Sequence, residues 1–185
     1  MKYDRSGIRK NGGTVRFYNV LFPIWFLIFI PLLWVIVIPA NFIIDSAVLL
    51  LTLVVLKKKY APELSLKEIY LGSIWIVWLF GFLADLAGAL ALLLCTYLMP
   101  DSGTFGEWWY HNITTPLSRN PFSGWGLIVM LLMIALSGVL IYLLNYYVAL
   151  KKVLPDGILR RKTALSLAIF TAPYTFLLPS YWFWQ

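Results

Sequence analysis

The sequence predicts an all-α polytopic membrane protein with five transmembrane helices, its N-terminus cytoplasmic and its C-terminus outside. Three observations carry that prediction. Of the 185 residues, 61% are hydrophobic and 12% charged, against about 45–50% and about 25% in soluble domains. The apolar residues fall in runs close to the roughly 20 residues that cross a hydrocarbon core of about 30 Å. The basic residues, which give a net charge of +7, cluster between those runs. That is the pattern of membrane topology and of anionic headgroups at the cytoplasmic face, not of nucleic-acid binding.

Residues 1–19 form a basic cytoplasmic segment that begins MKYDRSGIRKNGGTVR. Its charge suits a signal peptide, but the apolar stretch after it exceeds an h-region of about 7 to 15 residues, so it reads as the lead into an uncleaved first span. Residues 20–185 make up one transmembrane domain. The run from Val20 to Leu56 would extend roughly 55 Å as a single helix. Two spans are therefore expected, at about 20–38 and 41–56, turning at Pro39 and Ala40 with Asn41 as the N-cap of the second.

Charge asymmetry supports the turn. It places Lys2, Arg5, Arg9, Lys10, Arg16, Lys57, Lys58, Lys59, Lys67, Lys151, Lys152, Arg160, Arg161 and Lys162 on one side, 14 of the 15 basic residues, with Arg119 opposite. A single crossing would divide them 6 against 9, almost without bias.

The third span, about 69–98, opens on Ser65-Leu66-Lys67-Glu68, a capping box. It is longer than the bilayer needs and should tilt or protrude. The outer loop 100–124 carries Trp108, Trp109 and Tyr110, which with Tyr181, Trp182, Phe183 and Trp184 make an interfacial aromatic belt. The fourth span covers about 125–149. Pro155-Asp156-Gly157 marks the turn into the fifth, about 163–180. Pro23, Pro31 and Pro39 recur in span one and Pro173 interrupts span five, each freeing carbonyls that neighbours must satisfy.

Asp85 is the leading candidate for a functional residue. An ionised carboxylate in mid-membrane costs roughly 2.5–3.5 kcal/mol on insertion scales, and no span contains a Lys or Arg. Asp85 is then protonated and bonded to a backbone carbonyl or to a polar side chain on a neighbouring helix such as Asn145 or Ser137, or faces water or a cation, or meets a cation from another protein. Gly81, Ala84, Gly88 and Ala91 form a stripe of small residues beside it, and Ala135, Gly138, Tyr142 and Asn145 offer a matching stripe on span four. Such stripes pack helices closely, within the chain or against another subunit. Asn41, Asp45 and Ser46 form either the cap of span two, where the positive helix end suits a carboxylate, or an outer vestibule.

The single Cys95 allows no intrachain disulfide. One histidine, His111, leaves no raw material for bis-histidine haem or clustered zinc ligands, and no phosphate-binding or hydrolase motif occurs. No cofactor, metal site or catalytic residue is expected. Asp101, Glu107, His111 and Arg119 in the outer loop are its only acid and base groups, and Asn112-Ile113-Thr114 matches a glycosylation sequon.

Three functions follow from these residues. The first is a small, non-enzymatic membrane subunit that assembles with another membrane protein, or with copies of itself, in transport, secretion or signalling. The second is a homo-oligomeric channel or ion-coupled carrier that uses Asp85. The third is a lipid-active enzyme of the outer loop. The charge pattern suits a multi-pass protein of a plasma membrane, the bacterial inner membrane in particular.

Overall fold

A computed structural model of the chain describes residues 29–98, 103–122 and 124–178. Within them every regular element is helical. A 3₁₀ turn, Pro31–Leu33, leads into α1, Trp34–Tyr60. Then come α2, Leu66–Tyr97, the short α3, Gly103–Trp109, and α4, Thr115–Arg119, joined by a π turn at Tyr110–Thr114. α5, Gly124–Leu144, runs on into a second π turn, Asn145–Ala149, and α6, Gly157–Phe170, is followed by the 3₁₀ turn Tyr174–Leu177.

Three of these stretches are long and apolar enough to cross a membrane: Pro31–Tyr60, Leu66–Tyr97 and Gly124–Ala149. Their outward faces carry exposed Val35, Ile43, Leu51, Val55, Leu132 and Val139, surfaces that only lipid or another apolar body covers at low cost.

The expected turn at Pro39–Asn41 is absent. α1 passes through Pro39 without interruption, so Asn41 caps nothing. A lone proline removes one N–H from the helical ladder, and in an apolar setting the remaining backbone groups have no better partner than the helix itself. A neighbouring helix adds support here, since the Trp78 indole N–H donates to the Ile38 carbonyl at 3.3 Å. The expected span at 20–38 lies partly outside the described residues, as do the basic segment 1–19, Pro23 and the aromatic residues 181–184.

The other boundaries follow local chemistry. α1 stops at Tyr60 because Ala61 precedes Pro62 and leaves helical geometry, at φ −157° and ψ 64°, as a residue before proline prefers. Ser65 caps α2, its hydroxyl accepting from the Glu68 amide at 3.4 Å. The Asp156 carboxylate accepts from the Leu159 amide at 2.6 Å, so α6 begins at Gly157 rather than near residue 163. It also ends at Phe170, short of the expected 180, because Pro173 cannot continue it. At 14 residues, or about 21 Å, α6 is shorter than a full crossing.

The four longer helices close a ring: α1 packs on α2 and α6, and α5 packs on the same two from the other side. One apolar cluster, with Leu49, Leu53, Ile74, Val77, Leu154 and Leu159, fills one half of it; a second, with Leu92, Ile113, Leu117, Met130 and Phe176, fills the other. The segments 57–69 and 150–162 meet at one end, where Lys162 donates to the Tyr60 hydroxyl at 2.6 Å and Arg160 lies 4.8 Å from the Tyr146 ring centroid. α3 and α4 close the opposite end: the Trp109 indole donates to the Cys95 carbonyl at 2.9 Å, and Gly126 lies so near Pro116 that a Cβ would overlap it. Arg119 is there, away from the other described basic residues.

Candidate functional site

Between the two apolar clusters lies a polar layer. α1 turns Asp45, Leu49 and Leu53 inward at a spacing of four, and Asn41, one turn earlier, shares that face. α2 presents Gly81, Ala84, Asp85 and Gly88 as buried residues. Where the two faces meet, Asn41 donates to Asp85 Oδ2 at 3.4 Å. Asp45 rests over Gly81, where an added Cβ would stand 2.9 Å from its Oδ2. The glycine therefore admits the α1 carboxylate against the α2 backbone.

The third wall is the broken end of α6. Phe170 through Thr175 line, with Asn41, Ile44, Asp45, Gly81 and Asp85, a cavity of about 210 Å³. Both carboxylates are buried, Asp45 at 4% and Asp85 at 8% exposure. Thr171 shares the lining with Asp45, and its hydroxyl donates to the Leu167 carbonyl at 2.8 Å. Asp85 Oδ1 has no hydrogen-bond partner. No lysine or arginine lines this cavity among the described residues.

Two acidic side chains and the carbonyl end of a helix, which carries partial negative charge, thus converge on one small space. Along α2, Asp85 lies about 27 Å from Lys67 and about 18 Å from Tyr97, well within the apolar length.

The placement of the other candidate residues changes several expectations. Asp45 is not a helix-end carboxylate; with α1 unbroken it lies in mid-helix, facing Asp85's cavity. Ser46 is turned away from it and accepts from the Tyr70 hydroxyl at 3.1 Å. Neither Ser137 nor Asn145 bonds Asp85: Ser137 donates to the Ala84 carbonyl at 3.0 Å and Asn145 to the Ile141 carbonyl at 2.8 Å. Asn145 stands about 12 Å farther along α5 than Ser137.

The small stripe of α2 is occupied within the chain. A Cβ on Gly88 would overlap Ser137 Oγ, and Ala84 is 1% exposed; Ala91, at the stripe's end, is half-buried. The facing surface of α5 is the buried row Met130, Ile134, Ser137 and Ile141, not the expected stripe. Ala135, Gly138 and Tyr142 instead line a groove beside α6, with Gly138 close to the Ala168 carbonyl. The α6 helix competes for that face because its small residues allow close approach.

In the outer loop, Glu107 is exposed and the His111 ring packs edge-on at 5.4 Å from Tyr110. Asp101 lies outside the described residues, and among those described no cluster of three or more His, Cys, Asp or Glu side chains could hold a metal. Residue-level reading missed Thr171 and Thr175. Pro173 was the available signal, since a proline in a span implies a helix end just before it. No family model, curated protein or solved structure matches the chain.

Proposed function

We propose that this chain is a multi-pass membrane protein that binds and releases a proton or monovalent cation at Asp45 and Asp85, the ion step of a carrier. The observation that carries this reading is a cavity lined by two buried carboxylates, with Asp85 Oδ1 left without a hydrogen-bond partner. Intramembrane carboxylates facing a polar cavity mark ion and proton pathways. Helices that break in mid-membrane and expose carbonyl ends are suited to cations, and α6 breaks beside both aspartates.

On this reading the membrane is a plasma membrane, the bacterial inner membrane in particular, and the end carrying Lys57, Lys151 and Arg160 faces the cytoplasm, since nine of the ten described basic residues, all but Arg119, lie there. α1, α2 and α5 cross, while α6 enters from the basic end and stops inside. With α1 continuous, the five-span arrangement loses the turn that divided its first two spans. Assembly with another membrane protein draws less support than the carrier reading. The small stripe that would dock a partner is filled by α5, and Asp85 faces a cavity of its own chain.

The test is proton movement in liposomes containing the purified protein and a pH-sensitive dye, driven by a potassium diffusion potential. Protein-dependent flux should fall at least tenfold in both Asp85→Asn and Asp45→Asn. Flux unchanged in Asp85→Asn removes the carboxylate pair from the mechanism.

A further inference from the structure

We infer that the Asp45–Asp85 cavity takes a small organic monocation, a protonated amine or a quaternary ammonium group. One carboxylate would act as its counter-ion and the other would keep a proton. This rests on the carboxylate pair being a cation site; what it adds is the chemical class of the ligand.

Size comes first. A water molecule occupies about 30 Å³ of liquid, so 210 Å³ holds roughly seven. A dehydrated alkali ion would leave most of that space to water. Drug-sized pockets begin near about 300 Å³, so the cavity suits a ligand of a few heavy atoms.

The walls come second. A bound Ca²⁺ requires about six to eight oxygens at about 2.3–2.6 Å, and the described residues contain no group of three or more acidic, His or Cys side chains. Nearly half of the lining residues are apolar or aromatic instead: Ile44, Phe170, Ala172, Pro173 and Tyr174. Aromatic rings beside carboxylates recognise ammonium groups, through the ring quadrupole on one side and ion pairing on the other. An alkali ion gains nothing from the carbon walls, whereas methyl groups on nitrogen do.

Charge comes third. Asp45 from α1 and Asp85 from α2, with the Tyr174 phenol, are the ionisable groups facing the cavity among the described residues; the phenol is engaged with the Ile169 carbonyl at 2.7 Å. Two carboxylates and one monocation sum to a single negative charge, which one retained proton cancels. Binding to the doubly protonated pair therefore releases one proton per cation, and the site exchanges the two.

The experiment is calorimetric titration of the full chain in detergent with tetramethylammonium chloride, methylammonium chloride and sodium chloride, with proton release followed in weak buffer. Saturable tetramethylammonium or methylammonium binding is expected, with about one proton released per cation bound. Affinity should be at least tenfold weaker in Asp85→Asn and several-fold weaker in Phe170→Ala, which alters an exposed ring and keeps both carboxylates. If neither ammonium probe saturates while sodium binds or proton flux persists in liposomes, the ligand is inorganic: the inference falls and the carrier reading stands. Ammonium binding that is unchanged in Phe170→Ala also overturns it.

Discussion

Substituting Gly88 by alanine tests whether the small stripe of α2 serves packing within the chain. The added Cβ overlaps one atom, Ser137 Oγ; its next neighbours, Met133 O and Phe176 Cε2, stand at 3.4 Å and need little adjustment. The strain therefore concentrates on the Ser137 hydroxyl. That hydroxyl is fully buried and donates to Ala84 O at 3.0 Å.

Rotating it away forfeits an interhelical hydrogen bond worth about 0.6 kcal/mol on average in membranes and up to about 1.7. It also strands a buried hydroxyl, at about 1–3 kcal/mol. Alanine returns up to about 1 kcal/mol of helix propensity over glycine, which leaves a net loss of about 1–2 kcal/mol. Unfolding of the purified protein by SDS titration, read by circular dichroism, measures it. Ser137→Ala removes the atom that collides, so the double variant should be more stable than the two single losses predict together. Gly88→Ala as stable as the native protein, or strict additivity in the cycle, would show that α5 does not fill this stripe and would return it to partner docking.

Two further predictions concern α1 and α3. Pro39→Ala restores an N–H to the second turn of an unbroken helix, so the fold should persist and the SDS midpoint should rise by part of the about 3 kcal/mol that separates the two residues in helix interiors; a midpoint well below native would mean the chain needs a break there. Trp109→Phe keeps the ring but deletes the N–H that donates to Cys95 O, a loss of about 1 kcal/mol that loosens α3 from α2. Maleimide labelling of Cys95, the sole cysteine, should then speed up about fivefold, and an unchanged rate would show that α3 does not depend on that bond.

Helices whose ends carry their own chemistry were legible in the sequence. Residues 124–149 emerge where an uninterrupted apolar run predicts them, and Ser65 and Asp156 start α2 and α6 as capping residues should. α1 was not, because its proline supports either a turn or a tolerated defect, and charge counting decided for the turn by weighing five basic residues of the N-terminal segment. Once the turn was assumed, Asn41 and Asp45 were read as surface groups. Their spacing of four, which puts them on one helix face, carried the opposite message. The meeting of Asp45 with Asp85 joins residues on different helices, and no periodicity within either helix encodes it. Asp85 itself was legible, because a carboxylate in an apolar run needs compensation wherever the helices pack.

What separates the aspartates from the rest of the polar interior is how completely each group is satisfied. Ser73 donates to Ile69 O at 2.7 Å, Thr163 to Leu159 O at 2.9 Å, and Thr52 meets Ser166 at 2.6 Å between α1 and α6. Each of those hydroxyls has a hydrogen-bond partner, as a group kept for packing should. Asn145 and Arg160 each keep one unpaired atom, but both make other bonds and Arg160 stacks on Tyr146 at the basic end. Asp85 lines a cavity, receives one long bond at 3.4 Å and leaves its buried Oδ1 without a partner. An apolar side chain of similar size would avoid the roughly 2.5–3.5 kcal/mol of a mid-membrane carboxylate, and one weak hydrogen bond does not offset that cost. A second carboxylate facing the same cavity adds repulsion whenever both are ionised. As a stability device the pair is a net loss; the proton or cation proposed above would supply the partner that Asp85 Oδ1 lacks and the positive charge missing from the lining.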